Sequence, residues 1–143
     1  MIHPTVVSMV AAIRRRANEY MLRQLSDLGL EGLGPSHAGI LGRLFQNGDM
    51  AMAEIAAAIR RDKSTVTTLV RKLEALGYVS RRKAPGDARK TLISLTPKGR
   101  ALRPAYERIS RELTELALEG FSSEERKALM GLLGRVRANL SLR

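Results

Sequence analysis

The apolar residues of this chain recur at helical steps on both sides of a short central stretch where they do not, and that interruption most limits the fold. Tyr78-Val79-Ser80-Arg81-Arg82 and Thr91-Leu92-Ile93-Ser94-Leu95 are short and β-prone. Between them lies Lys83-Ala84-Pro85-Gly86-Asp87-Ala88-Arg89-Lys90, with a Pro-Gly turn signal. The pattern predicts a hairpin with a basic tip, four helices before it and two after.

The first helix is expected over residues 5–28, with Val6, Val10, Ile13, Ala17, Tyr20, Gln24 and Leu28 on one stripe. Gly29 and Gly32-Leu33-Gly34 end it. Pro35 opens a second, about residues 35–46, with Ile40, Leu41, Leu44 and Phe45 inward. A short third helix covers 52–60, then a break at Arg61-Asp62-Lys63, where Asp62 reads as the N-cap of a fourth helix ending at Gly77. After the hairpin, Thr96-Pro97 starts a helix whose Leu102, Tyr106, Ile109, Leu113 and Leu116 form a coiled-coil-like seam, with Pro104 expected to bend it. Ser122 and Glu125 fit a capping box for a last helix, striped by Leu129, Leu132, Leu133, Val136 and Leu140. The fold class is mostly α, with a small β element (α+β).

Charge then narrows the function. The 143 residues carry 25 Lys and Arg against 14 Asp and Glu, a net charge of +11. Residues 1–59 are balanced, residues 60–103 carry an excess of +10, and residues 104–143 an excess of +1. A cationic segment of this kind, in a domain with 44% hydrophobic residues to build a core, points to a polyanion and first to nucleic acid. With no cysteine there is no disulfide, thiolate metal site or cysteine switch. Two histidines, His3 and His37, make a histidine metal centre within one chain unexpected, and no metal or other cofactor is expected. Three per cent aromatics argue against a stacking platform for single strands. No apolar run has the length of a membrane span, and Met1-Ile2-His3-Pro4 lacks a signal-peptide pattern, so a cytoplasmic, nucleoid-associated protein is expected.

Two helices joined by a tight turn and followed by a hairpin make a winged helix-turn-helix, whose second helix enters the major groove. On the fourth helix Val66, Leu69, Val70 and Leu73 face the core, while at about 100° per residue Ser64, Thr68, Arg71 and Ala75 point away. Thr65, Thr67 and Lys72 flank that open face, and Lys63 stands at its start. Hydroxyls and guanidinium groups suit base edges and phosphates, although an amphipathic surface helix accounts for this segment alone equally well. Arg81, Arg82, Lys83, Arg89 and Lys90 lie on or beside the hairpin tip, suited to a narrow, electronegative minor groove. Asp87 is placed to pin either the Arg89 guanidinium or the turn. Edge protection by charge is the alternative, but it does not require one sign.

These residues resemble the MarR family of bacterial transcription regulators. The resemblance runs from Ala53-Glu54-Ile55-Ala56 through Asp62-Lys63-Ser64-Thr65-Val66-Thr67 and Leu69 to Val79. It is most specific in Asp87-Ala88-Arg89 followed by Leu92-Ile93-Ser94-Leu95-Thr96-Pro97-Lys98-Gly99, similar to the family's wing signature. It implies a homodimer with interlocked terminal helices, a recognition helix at residues 62–76 in the major groove, Arg89 in the minor groove supported by Asp87, and usually repression. For many members it also implies release of double-stranded DNA when a small, often phenolic, anion binds, so a small aromatic or anionic effector is an expectation here. Two departures stand out: Arg60 occupies a turn position where the family often has Gly, and Ala51 a cap position where it often has Thr or Ser, leaving a weak cap or one supplied by Asp49.

The expected organisation is a dimerisation helix (1–33), the DNA-binding lobe (34–96) and C-terminal dimerisation helices (97–143). A ligand site is expected where the first, second and fifth helices meet, with Arg16, Tyr20, Met21 and His37 as candidates and a structural role as the alternative for His37. An enzyme and a winged helix for RNA or protein are the competing readings. No G-x-S-x-G, P-loop or paired-carboxylate spacing supports the first.

Overall fold

The computed structural model describes residues 5–30 and 32–141. The reading of Met1-Ile2-His3-Pro4, His3 included, falls outside them. The chain forms two compact units, divided between Ser110 and Arg111.

In the first unit, α1 (Val6–Asp27) begins at Thr5, whose hydroxyl accepts the Ser8 N–H at 3.0 Å while the Ser8 hydroxyl accepts the Thr5 N–H at 2.9 Å. Helix α2 (Pro35–Asn47) follows a glycine-rich link, then come α3 (Met52–Ile59) and α4 (Lys63–Ala75). The hairpin is β2 (Val79–Ala84) and β3 (Asp87–Leu95). A two-residue strand, β1 (Met50–Ala51), was not legible in the sequence; it pairs with β3 through Met50↔Ile93 and Ala51↔Leu92, giving a three-stranded antiparallel sheet in the order β1-β3-β2.

Ile40 and Leu44 of α2, Ile55 of α3, Val66, Val70 and Leu73 of α4, and Ile93 of β3 are at most 1% exposed and make one core. Each burial stabilises by about 1.5–3 kcal/mol. The core-facing set expected on α4 is confirmed, with Leu69 partly buried at its margin. A second cluster joins Leu25, Ala38 and Ile109, with Tyr20, Met21 and Tyr106 against it.

Two expectations are corrected. The hairpin strands run further toward the tip than expected, leaving only Pro85-Gly86 as the turn, with Gly86 at φ 79°. The helix expected from Pro97 is two helices, α5 (Pro97–Arg100) and α6 (Arg103–Ala117), separated at Ala101-Leu102. Pro104 has no N–H to continue the ladder, so instead of bending one helix it falls in the first turn of a second.

The second unit contains the end of α6 and α7 (Ser123–Ser141). The capping box is present: Ser122 Oγ accepts the Glu125 N–H at 3.1 Å, and Glu125 Oε1 accepts the Ser122 N–H at 2.9 Å. Arg126 binds Glu115 and the Leu118 carbonyl. No helix among the described residues is long and apolar enough to cross a membrane.

Candidate nucleic-acid interface

The turn between α3 and α4 is built without the usual glycine. Arg60 adopts the left-handed conformation, φ 55° and ψ 49°, and the Arg61 N–H reaches back to the Ala56 carbonyl at 3.1 Å. Asp62 then caps α4 as expected, its side chain accepting the Thr65 N–H at 3.4 Å. It also accepts the Ser64 hydroxyl and, at 2.5 Å, the Thr65 hydroxyl. These hydroxyl bonds hold its carboxyl down to a pKa of about 2.

The other end of α4 is closed by α5. Gly77, at φ 86°, lets the Tyr78 N–H bond the Leu73 carbonyl at 2.9 Å. Thr96 donates its hydroxyl to the Gly77 carbonyl at 2.5 Å, and Lys98 bonds the Leu76 carbonyl at 2.7 Å, a cation well placed at a helix C-terminus.

The cations expected on the interface fall into two groups. Arg81 pairs bidentately with Glu74 of α4 (2.8 Å to Oε1 and 3.3 Å to Oε2), and Arg82 makes one bond to Asp49 (2.6 Å). Each carboxyl is thereby lowered in pKa by its arginine, and Arg81 is raised by Glu74. Asp49 therefore anchors the wing and does not cap α3; the Ala51 N–H is taken instead by Glu54 Oε1 at 3.1 Å. Lys72 is engaged as well, on the carbonyl of Gly32. By contrast, the side chains of Lys63, Arg71, Lys83, Arg89 and Lys90 are exposed and make no hydrogen bond or ion pair to the described residues.

Arg89 sits on a feature the sequence did not reveal. Lys83 pairs with Thr91 but Ala84 with Asp87, so Ala88, Arg89 and Lys90 loop out of the ladder as a bulge. Of the two roles open to Asp87, the structure shows the turn: its Oδ1 accepts the Arg89 backbone N–H at 3.0 Å. A cleft of about 310 Å³ lies between this bulge and α4, lined by Ala51, Met52, Lys63, Thr67, Arg89 and Lys90 among others.

The expected ligand residues lie on α1 and α2. Tyr20 and Met21 pack against the Leu25, Ala38 and Ile109 cluster, and Arg16 is exposed on α1. His37 Nδ1 accepts the Gly34 N–H at 2.9 Å, and burial, with Lys72 nearby, lowers its pKa. Among the described residues no group of His, Asp and Glu converges as a metal site.

Residues 31–90 match the profile of the MarR family. The HTH-type transcriptional regulator YybA of Bacillus subtilis is 34% identical over 102 residues, covering 70% of this chain and 67% of that protein. The chain belongs to the MarR family. It is a DNA-binding transcriptional regulator, and the family's members are regulators and not enzymes. Solved MarR-type structures share its fold. BpsR of Bordetella bronchiseptica, whose DNA binding is regulated by 6-hydroxynicotinic acid, matches with a TM-score of 0.78 at 24% identity over 96% of this chain and 97% of that one. A MarR variant from E. coli in complex with operator DNA matches with a TM-score of 0.78 at 19% identity over 90% of each chain.

Proposed function

We propose that this MarR-family protein is a homodimeric repressor of a near-palindromic operator, with α4 in the major groove and the β2–β3 wing in the minor groove. The observation that carries the reading is the set of five unpartnered cations, Lys63, Arg71, Lys83, Arg89 and Lys90, on the open face of α4 and the wing tip. Arg81, Arg82 and Lys72 frame this surface and hold it in place, while Ser64, Thr65, Thr67, Thr68 and Arg71 face the bases. Residues 1–33 and 97–143 make the dimer, and two-fold symmetry sets the half-sites about 10 bp apart.

A small aromatic anion is the fitting effector. It has two candidate seats: the α1–α2 junction with Arg16, Tyr20, Met21 and His37, and the cleft beside Arg89, where it competes directly with phosphate. The second is favoured by its open volume and its free Lys63, Arg89 and Lys90.

Selection of bound genomic DNA by the purified protein, followed by footprinting, tests the reading. A symmetric site bound about 10³-fold or more over random duplex is expected. Arg89→Ala should weaken operator binding at least tenfold while leaving the oligomeric state unchanged. Equal affinity for every duplex, or full affinity in that variant, refutes it.

A further inference from the structure

Every hydroxyl on the first two turns of α4 has its proton engaged inside the protein. Ser64 and Thr65 donate to the two oxygens of Asp62. Thr67 donates to the Lys63 carbonyl at 2.8 Å, and Thr68 to the Ser64 carbonyl at 3.1 Å. A hydroxyl has one proton to give and two lone pairs to receive. Once the proton is used, only the lone pairs face outward. While that bond is kept, such a group has no proton for a phosphate oxygen, guanine O6 or N7, or thymine O4, all of which are acceptors. In the major groove it has two partners left: the N6 amino group of adenine and the N4 amino group of cytosine.

We propose that Asp62 is a specificity-determining positioning residue: by taking the protons of Ser64 and Thr65 it makes those two hydroxyls readers of exocyclic amino groups, as the Lys63 and Ser64 carbonyls do for Thr67 and Thr68. The proposal rests on the placement of α4 in the major groove given above. Two features of the chain support it. The Asp62 carboxyl titrates far below neutrality, so it stays an acceptor and the hydroxyls must be the donors. Helix α4, KSTVTTLVRKLEA, has no Asn or Gln that would read adenine through both N6 and N7. Donor contacts are left to the free cations Lys63 and Arg71, so the helix divides the two halves of the groove code between two kinds of side chain.

The test uses the full-length protein on its selected site. Nebularine, which lacks the 6-amino group, replaces adenine singly under α4, and 2-pyrimidinone, which lacks the 4-amino group, replaces cytosine. Each is referred to the same replacement outside the protected region. At one or more positions the amino-free base is expected to weaken binding about tenfold, whereas 7-deazaadenine at the same adenines changes it less than about twofold. Asp62→Asn keeps a capping oxygen but offers the hydroxyls one acceptor fewer. At the bases that Ser64 and Thr65 reach it should bring the amino-group penalty below about threefold, in a protein that still melts cooperatively. Because the readout is a ratio between two duplexes, the gain in affinity from removing a negative charge cancels. A wild-type penalty for 7-deazaadenine that matches or exceeds that for nebularine overturns the proposal, as does an Asp62→Asn variant that diminishes the amino-group penalty at no position. The absence of any preferred sequence would instead remove the major-groove reading beneath it.

Discussion

At Gly99 the structure leaves no room for even a methyl group. A Cβ there would lie 2.1 Å from the Tyr78 carbonyl oxygen and 3.0 Å from its carbon, while the Gly99 N–H is held by the Thr96 hydroxyl at 3.0 Å. Backbone cannot swing aside as a side-chain tip does, so Gly99→Ala should destabilise the fold by about 3 kcal/mol, read as a lowered midpoint in denaturant. His37 makes a pH-dependent contribution. Its folded pKa lies below the ordinary imidazole value because burial and Lys72 oppose the cation, and its Nδ1 must stay unprotonated to accept the Gly34 N–H. The unfolded chain therefore binds the proton first. Stability is whole above about pH 6.5 and is lost as the pH falls through the lowered folded value. The melting temperature should fall between pH 7.5 and 5.5, and His37→Gln, which keeps an acceptor but does not titrate, should flatten that fall.

Among the elements, the α3–α4 turn carries a cost that the sequence already marked at Arg60. A left-handed L-residue costs about 1–2 kcal/mol, and glycine's extra freedom in the unfolded chain about 0.5–1 kcal/mol. Arg60→Gly should therefore stabilise by about 0.5–1 kcal/mol, raising the thermal midpoint. Most elements were legible because their signals are local: the caps at Thr96, Asp62 and Ser122, the stripes of α2 and α4, and the Pro-Gly turn. What escaped is either too short or too distant in sequence. A two-residue strand has no measurable period. The Arg82–Asp49 pair spans 33 residues, so no spacing rule assigns Asp49 to the wing instead of to α3. The motif at the wing named Asp87 and Arg89 as a pair, but the bulge that presents Arg89 depends on register, which composition does not fix.

For the whole molecule, the exposed apolar residues of the terminal helices matter most. Val6, Val7, Val10 and Ile13 of α1 are 45–67% exposed in the single chain, and Met130, Leu132 and Leu140 of α7 are 56–65% exposed. Exposed apolar side chains of this size call for a partner surface, and a second copy supplies it in the proposed dimer. Ile13→Glu should convert the dimer to monomer in sedimentation experiments and lower operator affinity at least tenfold, because one subunit then binds one half-site. If Ile13→Glu stayed dimeric, the stripe of α1 would lie outside the interface.

The three looped-out residues of β3 also give the hairpin slack in chain length. Adding or deleting a residue between Asp87 and Thr91 displaces no pair nearer the sheet, since Lys83↔Thr91 and the rungs behind it stay in place. In the proposed complex the reach of Arg89 toward the minor groove is thereby adjustable independently of the hydrophobic interior.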